Sequence, residues 1–116
     1  MALILLVAGC GVPASPVKQA EDIASIAAEG ALLAGDAVEG DTTTQFAGTH
    51  ARALRRNAET LAPAITHADL GRVTEEVVAA LTELASAPGD REVAREAKER
   101  LKSAAKRAQA ITKEAS

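Results

Sequence analysis

Residues 1–16 read MALILLVAGCGVPASP, and two readings of them lead to different folds. Ala2–Val7 is continuous enough in apolar residues for a buried parallel strand. Gly9-x-Gly11-x-x-Ala14 then has the form of a turn in which glycines let backbone approach a pyrophosphate at a helix N-terminus. On that reading the chain is an α/β nucleotide binder. On the other, the stretch stands outside the folded body, and the fold is written in the residues that follow.

Those residues have a helical period. Ile23, Ala27, Ala31, Ala34 and Val38 recur at steps of four and three, with Ile26, Gly30, Leu33 and Ala37 alongside. The spacing predicts a helix over 17–39, stopped at Gly40-Asp41. Gly30 lies inside it at a cost of about 1 kcal/mol relative to alanine, which a close helix crossing would explain. Ala47, Ala51, Leu54, Ala58, Leu61 and Ile65 alternate steps of four and three, a heptad-like seam flanked at its start by Phe46 and His50. Asp41, Thr42, Thr43 and Thr44 offer N-cap oxygens. Pro63 has no backbone donor and would clash with the carbonyl four residues back, so it should end or kink this helix.

Thr66-His67-Ala68-Asp69 matches a capping box with an acid in the third helical position. A third stripe follows in Leu70, Val73, Val77, Ala80, Leu81 and Leu84. Ala87-Pro88-Gly89-Asp90 breaks the chain ahead of a fourth stripe, Val93, Ala97, Leu101, Ala104, Ala108 and Ile111. Glu96 and Arg100 have the acid-first spacing of four that adds a few tenths of a kcal/mol to a helix.

Four helices of about 20 residues, each about 30 Å long, with short connections predict antiparallel neighbours. The expected fold is all-α, an up-down-up-down four-helix bundle over residues 17–116. The alternative is a three-helix core with the first helix loosely docked or paired with another molecule. No strand-like alternation follows residue 16, so a strand at Ala2–Val7 would have no ladder for its backbone donors and acceptors. The phosphate-turn reading fails with the strand.

Composition agrees with a helical body and narrows its function. The 116 residues suffice for one domain. Alanine fills 28 positions and Phe46 is the single aromatic residue, so the core must rest on many small contacts between closely approaching helices. Interface hot spots favour Trp, Tyr and Arg, and single-strand binders stack bases on aromatic rings; no such platform exists and no nucleic-acid partner is expected. Net charge is −3 but unevenly placed. Residues 1–50 hold one base, Lys18, against six acids, and residues 51–116 hold twelve bases against ten acids. The bases alternate with acids, as in Arg95-Glu96 and Glu99-Arg100, which describes a solvated helix face. Cys10 is the only cysteine, so no internal disulfide forms.

Val7-Ala8-Gly9-Cys10 resembles the lipobox of bacterial lipoproteins: an aliphatic residue, two small residues and an obligatory cysteine. The resemblance covers only this end of the chain. It implies that the Cys10 thiol receives a diacylglyceryl group, that a signal peptidase cuts between Gly9 and Cys10, and that the new amine is acylated. Residues 1–9 are then a signal segment, 10–16 a lipid-anchored tether in which Pro13 and Pro16 oppose helix, and 17–116 the bundle. The membrane partner is lipid, held through the acylated Cys10, and the location is the outer face of the cell membrane or its periplasmic side. Export signals open on a positive segment, yet no Lys or Arg precedes Cys10. The simplest account is that Met1 is an internal methionine, with a basic segment encoded upstream. An acidic first helix would be repelled by anionic lipid, leaving the fourth helix nearer the membrane.

The body offers little catalytic chemistry. His50 and His67 lack the i, i+4 histidine partner of a zinc-binding helix. A site built across helices from His50 with Asp36 or Glu39 is the one metal arrangement left, against the commoner outcome of a surface histidine. Glu75, Glu76 and Glu83 would need burial and a shared substrate to act as acid and base, and their spacing is that of a solvent-facing stripe. Ser25, Ser86 and Ser103 have no neighbouring histidine for a triad. Arg52, Arg55 and Arg56 form the densest basic cluster, able to meet phosphate or carboxylate, or simply a solvated stripe. The reading is therefore a non-enzymatic, lipid-anchored helical envelope protein without catalytic, cofactor or metal residues, an interaction module with an unknown protein partner. Its rival is a soluble cytoplasmic helical protein that self-associates through alanine-rich seams.

Overall fold

The computed structural model describes residues 15–115. Four helices follow in order: α1 (Pro16–Glu39), α2 (Thr44–Leu61), α3 (Ala68–Ser86) and α4 (Arg91–Ala115), with a 3-10 turn over Ala62–Ala64 closing α2. They form an all-α, up-down-up-down bundle. The widest interface is α1 on α4; α2 packs on α3, α3 on α4, and α1 more thinly on α2. Cross-links between α1 and α2 show the antiparallel sense: Gln19 near the start of α1 reaches Ala64 beyond the end of α2, and Glu29 reaches His50 near the start of α2. The first helix is thus integral to the bundle, and the three-helix core with a loosely docked α1 is excluded.

Each boundary has a local cause. Ser15 caps α1, its Oγ accepting from the Lys18 N–H at 3.1 Å. Pro16 is the first residue of α1, one residue before the expected helix start at 17. A proline opposes helix in the interior but fits its first turn, where the missing N–H would be unpaired anyway. Gly40 ends α1 at φ 77°. Its N–H bonds the Ala37 carbonyl at 3.3 Å and the Asp41 N–H bonds that of Asp36 at 2.8 Å, the paired closure that a left-handed glycine permits. Thr43 is the oxygen chosen to start α2, accepting from the Phe46 N–H at 3.0 Å. Pro63 falls in the 3-10 turn and stops α2, as its chemistry requires. Asp90 starts α4, its Oδ1 accepting from the N–H groups of Glu92 and Val93.

The start of α3 differs from the expected capping box. The cap is His67, not Thr66, and its ring Nδ1 accepts from the Leu70 N–H at 3.2 Å. Asp69 pairs with Arg72 instead of closing a box. An imidazole nitrogen three residues before an orphan N–H satisfies it as a threonine oxygen would, which displaces the helix start by one residue.

The core divides labour between large and small side chains. Of the seven largest fully buried residues, Leu70, Val73, Val77, Leu81 and Leu84 come from α3, joined by Ile23 of α1 and Leu101 of α4. The other helices present mainly alanine to this rod: Ala20, Ala24, Ala27 and Ala34 from α1, Ala47, Ala51 and Ala58 from α2, Ala97, Ala104 and Ala108 from α4. Large residues on one side and small on the other fill space at native density while the helices stay close. Four positions of the expected stripes are only half-buried: Val38, Val93, and Leu61 and Ile65 at and beyond the end of α2. In α4, Ala94 takes the buried place next to Val93. Both buried polar side chains are satisfied: Gln19 Nε2 donates to the Ala64 carbonyl at 3.0 Å, and Thr74 Oγ1 donates to that of Leu70 at 2.8 Å.

Gly30 marks the closest crossing. A β-carbon built there would stand 3.0 Å from Leu81 Cδ2 and 3.1 Å from Leu101 Cδ1, whereas one at Gly71 of α3 would meet nothing within 4 Å. Gly71→Ala should therefore raise stability by about 0.4–1 kcal/mol, and Gly30→Val should lower it by about 1–3 kcal/mol through overpacking; urea unfolding of the two variants checks both signs.

Candidate functional site

The residues assigned to lipid attachment and cleavage, Cys10 and Gly9, lie outside the described residues. Within the body, several of the polar side chains singled out from sequence become structural partners. Arg100 of α4 does not pair with Glu96 on its own helix. It crosses to α3, where its guanidinium meets Glu83 at 2.9 Å and Glu76 at 3.5 Å. The two glutamates are seven residues apart, two turns along one face, and one arginine fork spans them. This arrangement uses Glu76 and Glu83 as the acceptors of an inter-helix clamp at the bundle surface.

His50 also finds a partner other than those considered. Its Nε2 lies 3.1 Å from Glu29 Oε2 on α1, and its ring stacks on Phe46 one turn earlier, centroids 5.4 Å apart and nearly parallel. Asp36 and Glu39 do not join it. Among the described residues no three His, Cys, Asp or Glu side chains converge to hold a metal. His67 serves its own helix start. Both imidazoles are thus engaged in holding helices.

The arginine cluster on α2 spreads over its surface. Arg55 lies 3.7 Å from Glu59 one turn on, and Arg52 donates to Thr49 at 3.4 Å. Ser86 returns its hydroxyl to the Thr82 carbonyl, the ordinary way a helical serine occupies itself. At the start of α1, Lys18 bonds Asp22 at 3.0 Å, and that hydrogen bond and charge hold the ammonium above its ordinary pKa.

Grooves between the helices are shallow and open. One of about 530 Å³ runs beside the 3-10 turn between Pro63, Ile65 and Val78. Another, between α1 and α4, surrounds Leu32 with Lys98, Lys102 and Lys106. Sequence spacing had not singled out this second group. The available signal was the lysine repeat at four-residue steps, but the leucine that completes it belongs to a helix more than sixty residues earlier in the chain. No helix among the described residues is long and apolar enough to cross a membrane. Comparison of the chain with known protein families, curated proteins and solved structures finds no match.

Two outcomes test these assignments. His67→Ala should cost about 1 kcal/mol of stability through the lost cap, and His67→Asn should restore most of it; thermal melts of the pair decide. Arg100→Ala, Glu83→Gln and their double variant should give a coupling of at most about 1 kcal/mol, shrinking in high salt as a partly exposed pair must; urea titrations close that cycle.

Proposed function

We propose that this chain is a lipid-anchored helical protein of a bacterial envelope, displayed on the outer face of the cell membrane or its periplasmic side, whose bundle is a non-enzymatic interaction module. The observation that carries this reading is the placement of Val7-Ala8-Gly9-Cys10. An aliphatic and small-residue pattern ends on the single thiol, only five residues ahead of the Ser15 cap that begins the folded body.

The physics of such an anchor is simple. Each buried methylene contributes about 0.8 kcal/mol and a single acyl chain binds only marginally. A diacylglyceryl thioether supplies two chains and an acylated amine a third, which makes attachment persistent. Residues between the thiol and Ser15 span at most about 20 Å when extended, so the bundle stays close to the headgroups. The non-enzymatic part of the reading is favoured by the roles already taken: Glu76, Glu83, His50 and His67 hold helices together or cap them.

Whole-protein mass spectrometry of native material should show residues 1–9 missing and the mass of lipid added at Cys10. Cys10→Ser should move the protein from the detergent phase to the aqueous phase in a partition experiment. An unmodified Cys10 in material that still carries Met1 would refute the anchor and favour the soluble, self-associating alternative.

A further inference from the structure

Leu32 is 72% exposed on α1, although the residues on either side of it along the chain, Ala31 and Leu33, are buried. It stands in an open groove of about 490 Å³ whose other walls are Ala28 and Ala31 of α1 and the aliphatic stems of Lys98, Lys102 and Lys106 of α4. The lysines repeat at four-residue steps and so share one face of α4. The Lys98 stem is laid across α1: a β-carbon at Gly35 would be 3.9 Å from its Cδ and Cε. None of the three ammonium groups takes part in an ion pair with the described residues, whereas Arg95, Arg100 and Lys18 all do. No acid lines the groove. Glu29 and Asp36 stand within one turn of Leu32 on α1 but outside the groove lining, Glu29 being paired with His50; Asp22, further towards the start of α1, is paired with Lys18.

We propose that this α1–α4 face docks on an anionic lipid surface, the lysine row meeting headgroup phosphates and Leu32 entering the boundary with the acyl chains. The inference rests on the lipid-anchor reading above and adds an orientation to it. Lysine stems over apolar surface with their heads free are suited to a headgroup layer. Three uncompensated cations around one protruding leucine are complementary to a negative, deformable surface. A second copy of the chain fits poorly, because a two-fold axis through the groove would set lysine row against lysine row. One leucine with flanking alanines also offers little apolar area for a stable interface of roughly 1,000 Å² or more. Geometry agrees with a bundle lying on its side. Leu32 is about 24 Å along α1 from Pro16, and the groove runs parallel to both helices, so a molecule tethered at the start of α1 can bring the whole face down. The expectation that α4 faces the membrane is kept, while the expected repulsion of the acidic first helix gives way, at its middle, to contact where the α4 lysines stand beside Leu32.

The test uses the full chain carrying Cys10→Ser, so that no acyl chain contributes, and phosphatidylcholine vesicles with or without phosphatidylglycerol. Residues 1–8 are uncharged in their side chains and do not discriminate between the two, so the readout is the ratio of the partition coefficients. That ratio should exceed about tenfold and collapse in high salt. Lys98→Gln, Lys102→Gln and Lys106→Gln together should lower anionic binding on the order of 100-fold, at roughly fivefold per lysine near the surface. Leu32→Ser should lower it roughly tenfold. All these side chains border solvent, and unchanged urea midpoints would show that folding is intact. Equal binding to both vesicles, or a triple variant that binds like its parent, overturns the proposal. Capture of soluble polyglutamate in preference to anionic vesicles, insensitive to Leu32→Ser, would also overturn it and assign the face to an acidic protein. A lipidated native Cys10 together with either result sinks the docking face alone; an unlipidated Cys10 with intact vesicle discrimination sinks the anchor alone.

Discussion

At Gly30 the backbone of α1 comes close enough to the core that methyl groups of Leu81 and Leu101 rest where a side chain would otherwise stand, and the rest of the packing follows from that proximity. Because α1 lies this close, most of its inward positions are small, Ala20, Ala24, Ala27 and Ala34 among them, with Ile23 and Leu33 its two large buried side chains. Because those positions are small, bulk must come from elsewhere, and α3 supplies it with three leucines and two valines. A glycine in a helix costs backbone entropy; here the cost is offset by the Leu81 and Leu101 side chains of α3 and α4, which pack against α1 where a β-carbon would crowd them. The bundle is therefore a rod of large residues sheathed in alanine, and its stability depends on the sheath lying tight.

The polar groups serve the same end. Arg100 ties α4 to α3 through two glutamates, Glu29 and His50 tie α1 to α2, and Gln19 ties the start of α1 to the turn after α2. The two charged ties lie at the edge of interfaces whose interior is apolar, where water tempers their strength, while the Gln19 tie is buried. The residues with the most chemical appearance in the sequence are thus spent on alignment. The row of Lys98, Lys102 and Lys106 around Leu32 is left unspent, and no acid lines its groove.

Under the proposed function, an anchored module would have two physical parts with separate tasks. Acyl chains on one sulfur would determine how long the protein stays at a membrane, since apolar burial sets residence. A charged face would determine which side of the bundle is turned to the lipid and which is left open to a partner. With α1 and α4 turned down, α2 and α3 would face outward, presenting Phe46, 55% exposed, and the groove beside Pro63 and Ile65.

Helix number, order and most inward positions were legible in the linear chain, because a period of four and three survives in residues such as Ile23, Ala27 and Ala31, and because Gly40, Pro63 and Pro88 interrupt it wherever a helix cannot continue. Boundaries were legible where the stop was unambiguous, as at Gly40, and less so where two side chains competed: His67 took the place assigned to Thr66, and Pro16 opened a helix it was expected to precede. Partners could not be read in the same way. Arg100 preferred Glu83 to the nearer Glu96, His50 found Glu29, and Leu32 met lysines from the far end of the chain, because local periodicity says which face a side chain occupies but not which helix lies opposite. That choice belongs to the tertiary structure, where close packing around Gly30 decides which surfaces approach, and through them which charges meet and which are left to face outward.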